Sequence, residues 1–233
     1  MLLIYEDMSL GGILEENVSL IPLLGRFGIP LGMADKTVGT VCAEHVIDTG
    51  FFLTVLNTFL NEDYFPEKKF AAFHVEQIID YLRKTNQYYR NYQLPNIERH
   101  LKGFVASAAG QNPSLMMVAN IFSRARNLLL ERIERDECSF FPYVSGLCAG
   151  HSQISDRQSI RQEDDTQDSG WELLHDIKSV MIRHLTGDYD RNLCYAVLFA
   201  VSALERDVKQ HDRIRYRILE PAVAAMEKAE KRG

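Results

Sequence analysis

The stretch from Phe73 to Leu101, FHVEQIIDYLRKTNQYYRNYQLPNIERHL, decides the fold of this chain. Its core-facing positions recur at steps of four and three, the spacing that places side chains on one face of an α-helix. These positions are Ile78, Leu82, Thr85, Tyr89 and Tyr92. Asn86 borders this face and interrupts it with a polar amide. Leu94-Pro95 is expected to end or kink the helix, because proline has no amide donor and restricts the residue before it.

Three further stretches have apolar residues at the same helical spacing. The second begins at Asn112-Pro113, where a capping residue precedes a proline at the first helical position. Its predicted seam contains Val118, Phe122, Ala125, Leu129 and Phe140, together with the charged residues Arg132 and Asp136. The third has a seam of Trp171, Leu174, Ile177, Met181 and Leu185, and it is expected to end near Thr186-Gly187.

The fourth stretch is the most regular, and two cationic or titratable side chains lie on its seam. The seam runs through Val197, Val201, Leu204, Val208, His211, Arg215, Ile218, Ala222 and Ala225. Asp190 is expected to cap this helix. Four amphipathic helices joined in this way predict an all-α fold, a four-helix up-down bundle spanning residues 66–233.

Residues 1–65 are predicted to form a small helical domain of their own. This segment contains nine acidic and two basic residues, and short helices are expected at 20–27, 38–45 and 49–60. Residues 36–57 have the rhythm of a helix-turn-helix. However, the second helix of this motif, GFFLTVLN, is apolar, whereas a DNA reader needs polar and basic side chains there. A packed helical hairpin is therefore favoured, and DNA is not an expected partner.

Composition and motifs predict a soluble cytoplasmic protein. The chain is 46% hydrophobic and 25% charged, which is ordinary for a globular protein. Its four cysteines form no CxxC pair, so neither a disulfide framework nor a thiolate zinc site is indicated. The longest apolar run is about half of the roughly 20 residues that a bilayer-spanning helix needs, and no secretory signal is recognisable. A P-loop, a dinucleotide fingerprint and a nucleophile elbow are all missing, so an enzyme of those classes is not expected.

Several segments together resemble a known family. In chain order they are GRFGIPLGMADKTVGTVCAEHVID, IIDYLRKTNQYY with LPNIERHL, ERIERDECSFFPYV, HDIKSVMIRHL and AVLFAVSALERDVKQHDRIRYRILEPA. They resemble the hemerythrin-like proteins of bacterial iron-sulfur cluster repair, also called regulators of cell morphogenesis and nitric oxide signalling. The resemblance covers most of the chain. It implies a hemerythrin-like bundle that holds two iron ions through histidines and carboxylates, in a protein of the stress response.

The positions that match the family's iron ligands are mostly substituted here. On the first helix a histidine is replaced by Asn86. On the second, a His-x-x-x-Glu pair is replaced by Arg132 and Asp136, and the ligand of the third helix matches Gln167. The His-x-x-x-Glu pair of the fourth helix becomes His211 and Arg215. The resemblance therefore implies a degenerate metal site.

We expect the two arginines to take the place of the missing cations. Asp136 would then pair with Arg132 or Arg215, with Asn86, Gln167 and His211 completing a hydrogen-bond network, because an unpaired buried charge is costly. No metal or cofactor is expected. His211, Asp136 and His175 are the weak candidates for a residual metal ligand.

These observations lead to one functional hypothesis and two alternatives. The first is a non-catalytic binding or regulatory protein with an unidentified protein or small molecule as its partner; a homodimer is one option. The first alternative is a di-iron protein that repairs iron-sulfur clusters under oxidative or nitrosative stress. The second is a transcriptional regulator that acts through the helix-turn-helix-like N-terminal unit.

Overall fold

A computed structural model describes residues 3–61, 63–64, 75–108, 112–150 and 170–230, and within these ranges the protein is all-α. Helices α1 to α11 span Leu10–Glu16, Ile21–Arg26, Val38–Glu44, Thr49–Leu60, Val75–Tyr88, Leu94–Ala106, Pro113–Arg135, Phe141–Cys148, Gly170–Arg183, Arg191–Ile214 and Glu220–Glu230. A 3₁₀ turn at Val18–Leu20 precedes α2, and an isolated antiparallel bridge joins Ser9 to Thr37. None of the described helices combines the length and the apolar character needed to cross a membrane.

Three π-helical segments connect consecutive α-helices. They are Tyr89–Gln93, Asp136–Phe140 and Arg215–Leu219. In each, the amide of the residue that follows the segment donates to the carbonyl of its first residue. The next residue is a proline in all three cases, at positions 95, 142 and 221. The chain therefore does not end its helix at Leu94-Pro95: a widened turn precedes the proline and the helix continues to Ala106.

The first compact unit comprises residues 1–85 and 210–233. Helices α1, α3 and α4 begin with side-chain caps: Ser9, Thr37 and Asp48 each accept a hydrogen bond from a backbone amide of the following helix. The side chain of Asn57, on α4, exchanges two hydrogen bonds with the backbone of Ile4, at 2.8 and 3.0 Å. These contacts tie the N-terminal segment to the core of the unit.

Helix α4 is the second helix of the helix-turn-helix-like stretch, and its apolar side chains are buried. They are Phe51, Phe52, Val55, Leu56 and Phe59. The ring of Phe27 packs edge-on against Phe52, with centroids 4.9 Å apart, and it also contacts Tyr81 at 5.2 Å. The faces of α4 that a DNA reader would expose are thus largely used in packing.

The second compact unit comprises residues 86–209. One hydrophobic cluster draws on α6, α7, α9 and the first part of α10. Its members include Ile97 and Phe104 from α6, Val118, Phe122 and Leu129 from α7, Leu174 and Ile177 from α9, and Val197, Val201 and Leu204 from α10. Most seam positions expected from the sequence are therefore buried in this unit, and Trp171 and Leu185 are half-buried.

The helix boundaries agree closely with the expected caps. The side-chain oxygen of Asn112 accepts hydrogen bonds from the amides of Ser114 and Leu115, at 3.0 and 3.3 Å. Asp190 accepts bonds from the amides of Asn192 and Leu193 at the start of α10. Ala225, on the predicted seam of the fourth stretch, is exposed. Tyr92 is also an exception to the predicted seams, since it is 68% exposed. The π turn rotates it away from the face that Tyr89 occupies.

Helix α1 was not expected, and the expected domain boundary near residue 65 stays a prediction. Residues 65–74 lie outside the described part of the chain, as does Gln167.

Candidate functional site

Five of the six positions that the resemblance matches to iron ligands lie within the described ranges, and all five are buried. Their exposed fractions are 2% for Asn86, 5% for Arg132, 0% for Asp136, 2% for His211 and 2% for Arg215. Burying an ionised side chain is costly unless it is compensated. Arg132, Asp136, His211 and Arg215 each make at least one polar, ionic or ring interaction. Each compact unit therefore buries polar side chains at these positions, and one of the buried side chains in each unit is a guanidinium group.

In the second unit, Arg132 and Asp136 lie one helical turn apart. Arg132 is in the last turn of α7, and Asp136 is the first residue of the π segment that follows. Asn86 is also buried here, and the nitrogen of its side-chain amide makes no hydrogen bond with any of the residues that the structure describes. An unsatisfied buried donor costs about 1–3 kcal/mol, so a fold normally avoids one.

In the first unit, His211 and Arg215 have the same spacing. His211 lies near the end of α10, and its Nδ1 is 3.7 Å from Oδ1 of Asp212. Arg215 is the first residue of the third π segment; its Nε lies 3.9 Å from Oε1 of Glu220, and its guanidinium carbon lies 5.3 Å from the ring centroid of Tyr216. The Arg215 charge is thus compensated by a carboxylate and an aromatic face from its own helical stretch.

The residues at these positions do not fit a di-iron centre. Iron sites of this kind use imidazole and carboxylate ligands, and the carboxylates neutralise the metal charge. Arg132 and Arg215 bring permanent positive charge and no lone pair for a metal. Asp136 is the one carboxylate of the set. Among the residues that the structure describes, no group of three or more His, Cys, Asp or Glu side chains is close enough to hold a metal ion.

A second polar cluster surrounds Glu205, which sequence reasoning did not single out. Glu205 is on α10, and its side chain is 4% exposed. Its Oε2 contacts Nζ of Lys178, and its Oε1 lies 2.8 Å from Nζ of Lys209 and 3.3 Å from Nδ1 of His175. The ammonium of Lys209 also lies 4.5 Å from the ring centroid of Trp171. This cluster joins α9 to α10.

The charges in this cluster explain the lowered pKa of its carboxyl group. Burial raises the pKa of Glu205, but hydrogen bonds and attraction from Lys178 and Lys209 outweigh burial and hold the pKa below its usual range. The two ammonium groups bind the two carboxylate oxygens that a metal ion would need as ligands. His175, a weak metal candidate in the sequence, is therefore a neighbour of a lysine-paired carboxylate.

Two sequence signals point to features that the helical periodicity alone did not reveal. Glu205 and Lys209 are four residues apart, a spacing that allows ion pairing on a helix. The prolines at 95, 142 and 221 lie six residues after Tyr89, Asp136 and Arg215, the first residues of the three π segments, so Asp136 and Arg215 have the same position relative to a proline.

Comparisons with known proteins do not assign the chain to a family. A scan against protein-family models found no match, and a search of curated proteins found no significantly similar sequence.

Proposed function

We propose that this chain is a non-catalytic binding or regulatory protein built on a hemerythrin-like four-helix bundle. In this proposal, arginine, aspartate and amide side chains occupy the positions where hemerythrin-like proteins hold two irons. The observation that carries the proposal is the burial of both Arg132 and Arg215 at such positions. A guanidinium is always protonated and supplies five donors. It therefore supplies positive charge in the interior where a metalloprotein would place a cation.

The arrangement of the helices supports this proposal in two ways. Helices α6, α7, α9 and α10 share one hydrophobic cluster, as helices of a bundle do. The substituted positions also fall at equivalent places, since Asp136 and Arg215 each open a π segment that precedes a proline. Both features agree with an inherited architecture whose metal chemistry has been replaced.

Iron content tests the proposal most directly. The protein is purified from iron-supplemented cells and measured by elemental analysis and absorption spectroscopy. We expect far less than one iron per chain and no absorption from oxo-bridged iron. About two irons per chain would contradict the proposal and would favour the alternative role in iron-sulfur cluster repair.

A restoring variant tests whether the positions have been matched correctly. It carries Asn86→His, Arg132→His, Asp136→Glu, Gln167→His and Arg215→Glu, and it keeps His211. If the positions are matched correctly, this variant gains iron while the wild-type protein, purified in parallel, does not. A variant that has wild-type helical content and yet binds no iron would count against the assigned register.

A further inference from the structure

A groove of about 380 Å³ lies between α6 and α7, within the second unit. Its volume is at the lower end of the range for small-molecule pockets, about 300–1,000 Å³. The floor is apolar, since Leu101 and Phe122 are 5% and 3% exposed. Met116 lies at one end and is 47% exposed, so a large apolar side chain faces solvent beside an apolar hollow.

The groove is polarised along its length. At one end, Glu98 is flanked by two cations: its Oε1 lies 3.4 Å from Nζ of Lys102 and its Oε2 lies 3.9 Å from Nε of Arg126. At the other end the lining is Val105, Ala106 and Met116. From Glu98 to Ala106 the helix rises about 12 Å, at 1.5 Å per residue. The groove thus has a charged end and an apolar end separated by roughly the length of a short acyl chain.

The charged end favours an anion. One carboxylate faces two cations there, so these three side chains carry a net positive charge that a second carboxylate would neutralise. We propose that this groove binds a medium-chain fatty acid, with its carboxylate between Lys102 and Arg126 and its acyl chain over Leu101 and Phe122 toward Met116. This binding site does not depend on the function proposed above.

The test is calorimetric titration of the full chain with decanoate, kept below the concentration at which decanoate forms micelles. We expect saturable binding. The double variant Lys102→Gln/Arg126→Gln should weaken decanoate binding about tenfold or more. The same variant should leave the binding of decanol, which has the chain without the charge, within about twofold. Ala119→Trp, placed in the wall of the groove, should abolish the binding of both ligands.

Arg124→Gln is the matched control, because Arg124 is an exposed cation on the same helix that does not line this groove. It removes one positive charge, where the double variant removes two, and it should leave decanoate binding unchanged. An equal loss in this control, or decanoate binding that survives Ala119→Trp in a folded protein, would overturn the proposal. Non-saturable uptake of decanoate would also overturn it. Thermal unfolding followed by circular dichroism verifies that each variant is folded.

Discussion

Glu205 shows how a single buried charge is stabilised in this protein. Its carboxylate is almost inaccessible, and Lys178 and Lys209 both contact it from partly exposed positions. Breaking a buried ion pair is costly because one partner keeps its desolvation cost without its compensation. The side chains of Arg132 and Arg215 are also buried, so the same rule governs their substitution.

Glu205→Gln tests the contribution of this cluster to stability. Glutamine keeps the shape of the side chain but loses the charge that faces two ammonium groups. We expect the free energy of unfolding to fall by about 2 kcal/mol, which lies within the usual range for the contribution of hydrogen bonds to charged groups. Urea denaturation provides the measurement. The control is Glu134→Gln, which removes an exposed carboxylate that lies 2.9 Å from Arg90 and should lower the stability much less than Glu205→Gln does. Equal losses in the two variants would contradict the prediction.

The same carboxyl group predicts a pH dependence. The pKa of Glu205 is lower in the folded protein than its ordinary value of 4.5. Its contribution to stability is therefore present above pH 4.5 and is lost as the pH falls through the folded-state pKa. In Glu205→Gln this part of the acid-induced loss of stability should be missing, so the wild-type and variant stabilities should converge below pH 4.5. Parallel urea titrations at several pH values check this.

At the scale of elements, the π segments allow long helical stretches to contain prolines in their interior. A proline in a regular α-helix removes a hydrogen bond, and its ring clashes with the carbonyl four residues earlier, at a cost of about 3 kcal/mol. A π segment relieves this conflict because it widens the turn that precedes the proline. Short π segments are also frequent at functional sites. Here, Asp136 and Arg215 are the first residues of two such segments.

Deleting one residue from a π segment tests this relationship. Removing the exposed Cys138 should convert Asp136–Phe140 into a regular α turn and should place Pro142 in the interior of an α-helix. We expect this deletion to be about 3 kcal/mol less stable than the same deletion combined with Pro142→Ala. Urea denaturation measures the difference, and Pro142→Ala alone is the control. If Pro142→Ala does not rescue the deletion, the π segment is not a response to the proline.

At the scale of the whole molecule, charge and packing argue against nucleic acid as a partner. The chain has a formal net charge of −6, and its first 65 residues carry most of the acidic excess. Helix α4, which corresponds to a recognition helix in the helix-turn-helix-like stretch, uses its aromatic and aliphatic side chains for packing. Phosphate contacts require cations on such a surface.

A titration with a short DNA duplex tests this expectation. The full chain should show no saturable binding even at low salt, where phosphate contacts are strongest. Fluorescence anisotropy of a labelled duplex provides the measurement, and a scrambled duplex separates specific from non-specific binding. Micromolar binding that weakens as salt rises would instead support transcriptional regulation through the N-terminal unit.

The sequence anticipated the buried faces well and the turns between helices less well. Val118, Phe122 and Leu129 are buried as expected, because a step of three or four residues fixes which side of a helix a residue occupies. Arg132 and Asp136 are buried for the same reason, since they share that seam. Tyr92 departs from the prediction because a π segment shifts the register by one residue, and local periodicity does not reveal where such a shift occurs.

The sequence by itself determined that the protein is helical, where its helices are capped at Asn112 and Asp190, and that Arg132, Asp136, His211 and Arg215 lie on buried seams. These properties depend on residues that are close together along the chain. Only the tertiary structure decided that Lys178 pairs with Glu205, and that α6 and α7 leave a polarised groove between them. Such contacts join residues far apart in sequence, and their geometry depends on how whole helices pack.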